Sequence, residues 1–235
     1  YVLFQGNNRL KLRVKDLMIK LTIIKRIITI SVYGISQFLL STSSWLVLIK
    51  IIAIFGSAPI AAYTITLRLM EFVWLPVWGL GNAAATLVGQ NLGANRADRA
   101  IRSVKLTTKY SLYFMIIFGV LQFVFASQIM SLFSDNQEVI TYGINCLKII
   151  ACGYPALAVG MILVQSLNGA GDIKSPAIVN FLSYWIVQIP LAYYLSVHTD
   201  LMGNGVFISI FVAETILAIL AYLVFKRSKW QEINI

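Results

Sequence analysis

The sequence predicts an all-α membrane protein with six transmembrane helices, and three observations carry that prediction. The first is composition: 59% of the 235 residues are hydrophobic and only 12% are charged, with a mean hydropathy of +0.80. A globule of this size has too little interior to hide so much apolar surface from water. The second is length. Six stretches, near 27 to 55, 59 to 82, 106 to 127, 149 to 168, 177 to 197 and 205 to 225, reach the ~20 helical residues that cross a hydrocarbon core at 1.5 Å per residue. Their apolar runs are continuous and do not alternate with a period of two, which favours helices over a barrel. The third is where the charge lies. Lys and Arg crowd every second connection: seven in "RLKLRVKDLMIKLTIIKR", five between Arg96 and Lys109, Lys174 in "GAGDIKSP" and three in "KRSK". The connections between these, "GSAP", "SQIMSLFSDNQE" and "HTDLMGNG", hold none. That asymmetry is the positive-inside pattern with both termini cytoplasmic. The net charge of +10 therefore reports topology and contact with lipid headgroups and gives no support to a nucleic-acid partner.

Taken in order, residues 1–26 read as a basic cytoplasmic linker, 27–225 as the six-helix unit and 226–235 as a cytoplasmic tail. "YVLFQG" at the start resembles a viral protease recognition sequence, and without an initiator Met the chain reads as a fragment. From Arg9 to Arg26 cations alternate with Leu, Val, Met and Ile, so the segment can lie amphipathically at the membrane surface. The second span is too long. From Pro59 to Leu92 there is no strong stop, and one helix of that length measures roughly 50 Å against a core of ~30 Å. It must tilt, bend or protrude, and Pro76 offers the bend. Gly79, Ala83, Ala84, Gly89 and Gly93 follow at intervals near four, a spacing that lets another helix approach closely. Arg96, Arg99 and Arg102 mark the exit from the membrane. After the third span, Asp135 three residues before Glu138 resembles a helix-starting cap and predicts a short interfacial helix ahead of the fourth span.

Five ionisable residues fall inside or at the edges of the spans. Lys50 and Lys148 lie near span ends and can snorkel to the interface. Arg68 and Glu71 are three apart on one helix face about halfway through the second span, so they can pair; either a structural ion pair or a transport role is open to them. Glu214 sits near the centre of the last span with no basic residue within a turn. A carboxyl buried there suits a proton carrier, and a hydrogen-bonded acid in the packing is the alternative. Polar stripes at helical spacing, Gln37, Ser41 and Ser44 on the first span and Asn180, Tyr184 and Gln188 on the fifth, fit either interhelical bonding or a cavity wall. Trp74 and Trp78 flank Pro76 and can present aromatic faces to an organic cation. Cys146 and Cys152 read as buried small apolar residues, with no CxxC spacing and no nearby His, and His198 as solvated in an outer loop.

"AAYTITLRLMEFVWLPVWGLGNAAATLVGQNLGANRADRA", Ala61 to Ala100, resembles the multidrug and toxic compound extrusion (MATE) transporters, whose members carry a similar span followed by a VGQ-x-x-G-A element. "QSLNGAGDIKSP", Gln165 to Pro176, is similar to the family's connection between its tenth and eleventh helices. The resemblance covers the chain from about Gly6. It implies a twelve-helix fold of two six-helix lobes, a substrate cavity between them, and alternating access driven by Na⁺ or H⁺. This chain would be the C-terminal lobe, helices seven to twelve, in a prokaryotic inner membrane. Its partners would be an N-terminal lobe, on the same or a separate polypeptide, lipid and small-molecule drugs, with no cofactor beyond the coupling ion. Acidic residues expected in the seventh and tenth helices of the Na⁺-coupled branch are missing from "YGISQFLLSTSSWLVLIKI" and "ACGYPALAVGMILVQSLNG", so H⁺ and Na⁺ both stay open. The implied function is export of amphipathic organic cations and drugs. A lipid-linked saccharide flippase lobe and a non-transporting structural partner are the alternatives, the first disfavoured by the shortage of intramembrane cations. Neither HExxH, GxSxG nor a paired Asp motif occurs, which argues against a membrane-embedded enzyme.

Overall fold

The computed structural model describes residues 20–227 and Trp230; expectations for the protease-like start, most of the basic leader and the end of the tail lie outside them. The helices are α1 (Leu21–Ala53), α2 (Ser57–Gly93), α3 (Ala97–Val124), α4 (Ala126–Phe133), α5 (Gln137–Gly169), α6 (Lys174–Asn180), a π-helical segment (Phe181–Gln188), α7 (Ile189–Val197) and α8 (Gly203–Lys226). The α6, π-helical and α7 pieces run on as one span, Lys174–Val197, so the described residues hold six helices long and apolar enough to cross a membrane.

Two boundaries correct the sequence reading. The first span starts at Leu21, so residues 21–26 of the leader form its opening turns. The cap before the fourth span is Asn136, whose side chain accepts from the Glu138 and Val139 amides at 2.9 and 3.3 Å. Asp135 is not the cap. A polar Asx acceptor satisfies amides that have no partner within the helix, and Asn136 is one residue better placed to do so. From there α5 runs unbroken for 33 residues, and the separate short helix is instead α4, before the cap.

Helix α5 is the pillar of the fold. It packs against α2, α3 and α8, and fifteen of its residues are buried, from Val139 to Leu167. Glycine makes the closest approaches possible. A Cβ on Gly169 would run into the Ala85 backbone carbonyl of α2, and one on Gly160 would meet the Leu217 side chain of α8. The matching face of α2 is Val77, Gly81, Ala84 and Val88, all buried, with Gly89 facing the Gly169 carbonyl. This corrects the small-residue surface read from sequence: Gly79, Ala83 and Gly93 are exposed, and a Cβ on Gly79 or Gly93 would meet nothing. A helical face repeats every three to four residues along one line, and those three glycine and alanine positions sit on the other side of it. Pro76 lies within a continuous 37-residue α2, which at 1.5 Å per residue extends about 55 Å and outruns a bilayer core.

Candidate functional site

The exposed side of α2 does not look like a surface made for lipid. Thr64, Arg68, Glu71, Leu75, Gly79, Asn82, Thr86 and Gln90 are all exposed. At 100° per residue they fall within one arc of about 100°, opposite the buried face. Arg68 Nη1 and Glu71 Oε2 pair at 3.6 Å, with their side chains 74% and 60% exposed. The pair anticipated from spacing is therefore made, and it stands clear of the lobe's own packing. Such a pair is worth little in water and is costly against hydrocarbon, where charged side chains turn to a cavity or a partner. Trp74 packs at 6.1 Å against Trp45 of α1, and Trp78 remains 47% exposed beside the stripe. One edge of α2 thus offers a carboxylate, a guanidinium, an indole face and several hydrogen-bonding groups together.

A chain of amides leads inward from this stripe. Gln165 Nε2 donates to Asn82 Oδ1 at 3.3 Å, and Asn168 Nδ2 donates to Gln165 Oε1 at 3.3 Å. Asn168 Nδ2 also donates to Gln37 Oε1 at 3.3 Å, and Gln37 Nε2 donates to Asn168 Oδ1 and the Ile173 carbonyl at 3.2 and 3.1 Å. Three helices and the α5–α6 turn are so connected. Sequence reasoning singled out Gln37 and missed Asn82, Gln165 and Asn168, although all three stand inside the two motif-bearing segments.

The remaining candidates fall into a second group, centred on the contacts of α1, the π-helical segment and α8. Ser44 Oγ donates to Gln188 Oε1 at 2.7 Å in a buried bond, and Trp185 Nε1 donates to the Leu40 carbonyl at 3.1 Å. Tyr184 Oη donates to Glu214 Oε1 at 3.2 Å, so the lone carboxyl of the last span has a hydroxyl partner. Ser41 turns back to the Gln37 carbonyl of its own helix at 2.9 Å, and Asn180 is buried. Tyr184 and Gln188 both ride on the π-helical segment, where Ile189 N–H reaches back to the Tyr184 carbonyl. The wider turn directly precedes Pro190, whose missing amide frees a carbonyl in the preceding turn. Proline in an apolar run was the available signal for it.

Other side chains are placed more simply. Lys50 is exposed, and Lys148 Nζ lies 5.4 Å from the Phe123 ring centre. Cys146 is buried, but Cys152 is exposed, which corrects the expectation that both are buried: six residues on a helix turn about 600°, leaving the two on different faces. His198 is exposed and edges against Tyr193 and Tyr194. A further buried bond unforeseen in the sequence joins Tyr154 Oη to Gln122 Oε1 at 2.7 Å, with Gln122 Nε2 donating to the Leu147 carbonyl at 3.1 Å. Among the described residues no cluster of His, Cys, Asp and Glu is arranged to hold a metal ion.

Known proteins share this fold. The MatE family model matches residues 34–194. The chain is 28% identical over 193 residues to the probable multidrug resistance protein YoeA of Bacillus subtilis, covering 80% of this chain and 41% of that protein. It is 25% identical over 199 residues to the probable multidrug resistance protein NorM of Thermotoga maritima, covering 85% and 43%. Its fold superposes on the crystal structure of MATE in the straight conformation with a TM-score of 0.87 at 19% identity, over 99% of this chain and 53% of that one. The chain spans about half the length of the relatives it matches.

Proposed function

The chain belongs to the MatE family, and on that premise we propose that it is the C-terminal six-helix lobe of an ion-coupled exporter. Amphipathic organic cations and drugs would be its cargo, moved by alternating access, with the exposed stripe of α2 as this lobe's half of the cavity wall. The stripe is the observation that carries the reading. A helix of membrane length cannot turn Arg68, Glu71, Asn82 and Gln90 to hydrocarbon without a cost of several kcal/mol, whereas a second lobe closing over a polar cavity removes that cost. The names of the relatives, multidrug resistance proteins of about twice this length, support both the cargo and the missing half. That half is an N-terminal lobe on the same polypeptide or on a separate chain, in a prokaryotic inner membrane with both termini cytoplasmic.

In this reading Glu71 attracts the cationic part of the cargo and Arg68 balances it when the site is empty. Trp74 and Trp78 supply aromatic faces. Glu214, bonded to Tyr184, is the second carboxylate and gains a proton or binds Na⁺ during the cycle. Gln37, Ser44 and Gln188 hold together the helices that must shift, and Ser41 and Asn180 stand beside them.

The test is efflux of a fluorescent cation from proteoliposomes holding the complete two-lobe protein. Glu71→Gln is expected to abolish efflux while the protein still inserts, and wild-type rates with unchanged pH dependence would remove Glu71 from the mechanism. Because one wall does not enclose a cavity, the six-helix chain alone is expected to transport nothing, and efflux by the purified chain would refute the half-transporter reading. Cysteines placed at Asp135 and Asp200 should react with an impermeant thiol reagent added outside. Labelling from the cytoplasm alone would overturn the topology.

A further inference from the structure

On α3 the charge has a shape that topology alone does not require. Arg99, Arg102, Lys105 and Lys109 are all exposed, and at 100° per residue they share an arc of about 120°. The same arc holds Leu106, 50% exposed, between Lys105 and Lys109, and continues down the helix as Tyr113, Ile117 and Val120, which are 52%, 58% and 56% exposed. The other side of α3, Ala100, Val104, Thr107, Ser111 and Met115, is buried against α2 and α5. If the hydrocarbon core begins just past Lys109, the four cations stand at headgroup level, with Leu106 among them, and Tyr113, Ile117 and Val120 lie at acyl depth. Lys109 Nζ is 5.6 Å from the Tyr113 ring centre, so one cation is aimed along the interface. Asp98 is exposed and shares this arc, one turn before Arg102, so it offsets one of the four charges and leaves the face with a net positive charge.

We propose that this face of α3 is a docking surface for an anionic phospholipid of the cytoplasmic leaflet. Arg99, Arg102, Lys105 and Lys109 would line the path of its anionic headgroup, and Tyr113, Ile117 and Val120 would meet its acyl chains. Charge complementarity selects the occupant: a second protein lobe would need carboxylates opposite four cations, whereas an anionic lipid supplies both the charge and the apolar body along the same line. The polar stripe of α2, the side argued to meet a partner lobe, is not part of this face, and the proposal rests on the proposed function only for the sidedness that puts the start of α3 at the cytoplasmic leaflet.

The test is native mass spectrometry of the full chain in detergent, titrated with phosphatidylglycerol and with phosphatidylcholine of the same acyl chains. Phosphatidylglycerol should bind more tightly. Each cation at an anionic surface contributes a factor of roughly five, so Lys105→Gln alone should weaken it roughly fivefold, and Arg102→Gln/Lys105→Gln/Lys109→Gln by tenfold or more. Lys20→Gln/Lys25→Gln/Lys174→Gln removes the same charge from α1 and α6 and should leave binding within about twofold. If the triple variant on α3 does not fold, the single variant still decides. Equal weakening by both triple sets would show diffuse attraction and overturn the site. So would equal binding of the two lipids, unchanged binding in the α3 variants, or displacement of phosphatidylglycerol by inorganic phosphate at the same concentration.

Discussion

Helices α1 and α5 have the same length, 33 residues each, and nearly the same apolar character, yet they are held in opposite ways. In the most apolar stretch of α5, 56% of the residues are buried within the lobe, against 22% for α1. Helix α5 is gripped by close backbone approaches at Gly160 and Gly169. Over its first two thirds α1 is held by hydrogen bonds, from Gln37 to Asn168 and Ile173 and from Trp185 to the Leu40 carbonyl, and it packs tightly only near its end, at Leu48, Ile51 and Ile52. In lipid there is little hydrophobic drive between helices, so association depends on close packing and polar bonds. Close packing over a long face makes a pillar. A few polar bonds make a looser joint, and the proposed alternating access would need such a joint to open and re-form.

The largest expected effect is on the pillar. In Gly169→Ala the new methyl would need the space of the Ala85 backbone, and backbone cannot swing aside as a side chain can. Overpacking of this kind costs about 3 kcal/mol, offset by about 1 kcal/mol from the better helix propensity of Ala, for a net loss near 2 kcal/mol. Thermal unfolding of the full chain in detergent should drop by about 4 to 8 °C. An unchanged midpoint would mean that α2 and α5 are not in contact there, and the distinction between pillar and joint would fail.

The next comparison sets one buried amide against another. Gln122→Leu strips the Tyr154 hydroxyl of its acceptor inside the α3–α5 contact and should cost about 1 to 3 kcal/mol, the penalty for a buried polar group left unpaired. Gln37→Leu removes the α1 end of the amide chain, but Asn168 keeps Gln165 as a partner. Its cost should be about 0.6 kcal/mol, typical of one interhelical bond in a membrane. Stability in detergent checks both, and a Gln37 variant as damaging as the Gln122 variant would make α1 a second pillar.

The spans and one ion pair were legible in the sequence, whereas the contrast between α1 and α5 was not, and what escaped has identifiable causes. Hydropathy and charge placed six spans, because a bilayer imposes length and sidedness one segment at a time. The Arg68–Glu71 pair followed from i, i+3 spacing, which is equally local. Which glycines touch another helix did not follow. Gly79 and Gly169 look alike in sequence, and only the position of α2 relative to α5 makes one open and the other closed. The amide chain was hidden for the same reason, since Asn82 and Gln165 are 83 residues apart and meet through the fold. The π-helical turn at Phe181–Gln188 had a local cue in Pro190, but proline predicts a disturbed ladder without saying how the chain absorbs it.

The smallest expected effect falls on α1, where Gly34 provides the counterpart to Gly169. It is exposed, and a Cβ built on it would meet no atom within 4 Å. The gain in helix propensity for Gly34→Ala, up to about 1 kcal/mol, is therefore not opposed by any clash. Since the added methyl meets no atom, it should leave Gln37 and Leu40 bonded as before. The full chain carrying Gly34→Ala should unfold at the same temperature as the unaltered chain, or up to about 4 °C higher. A clear loss of stability would place another helix against Gly34, and α1 would then be a packed element of the lobe like α5.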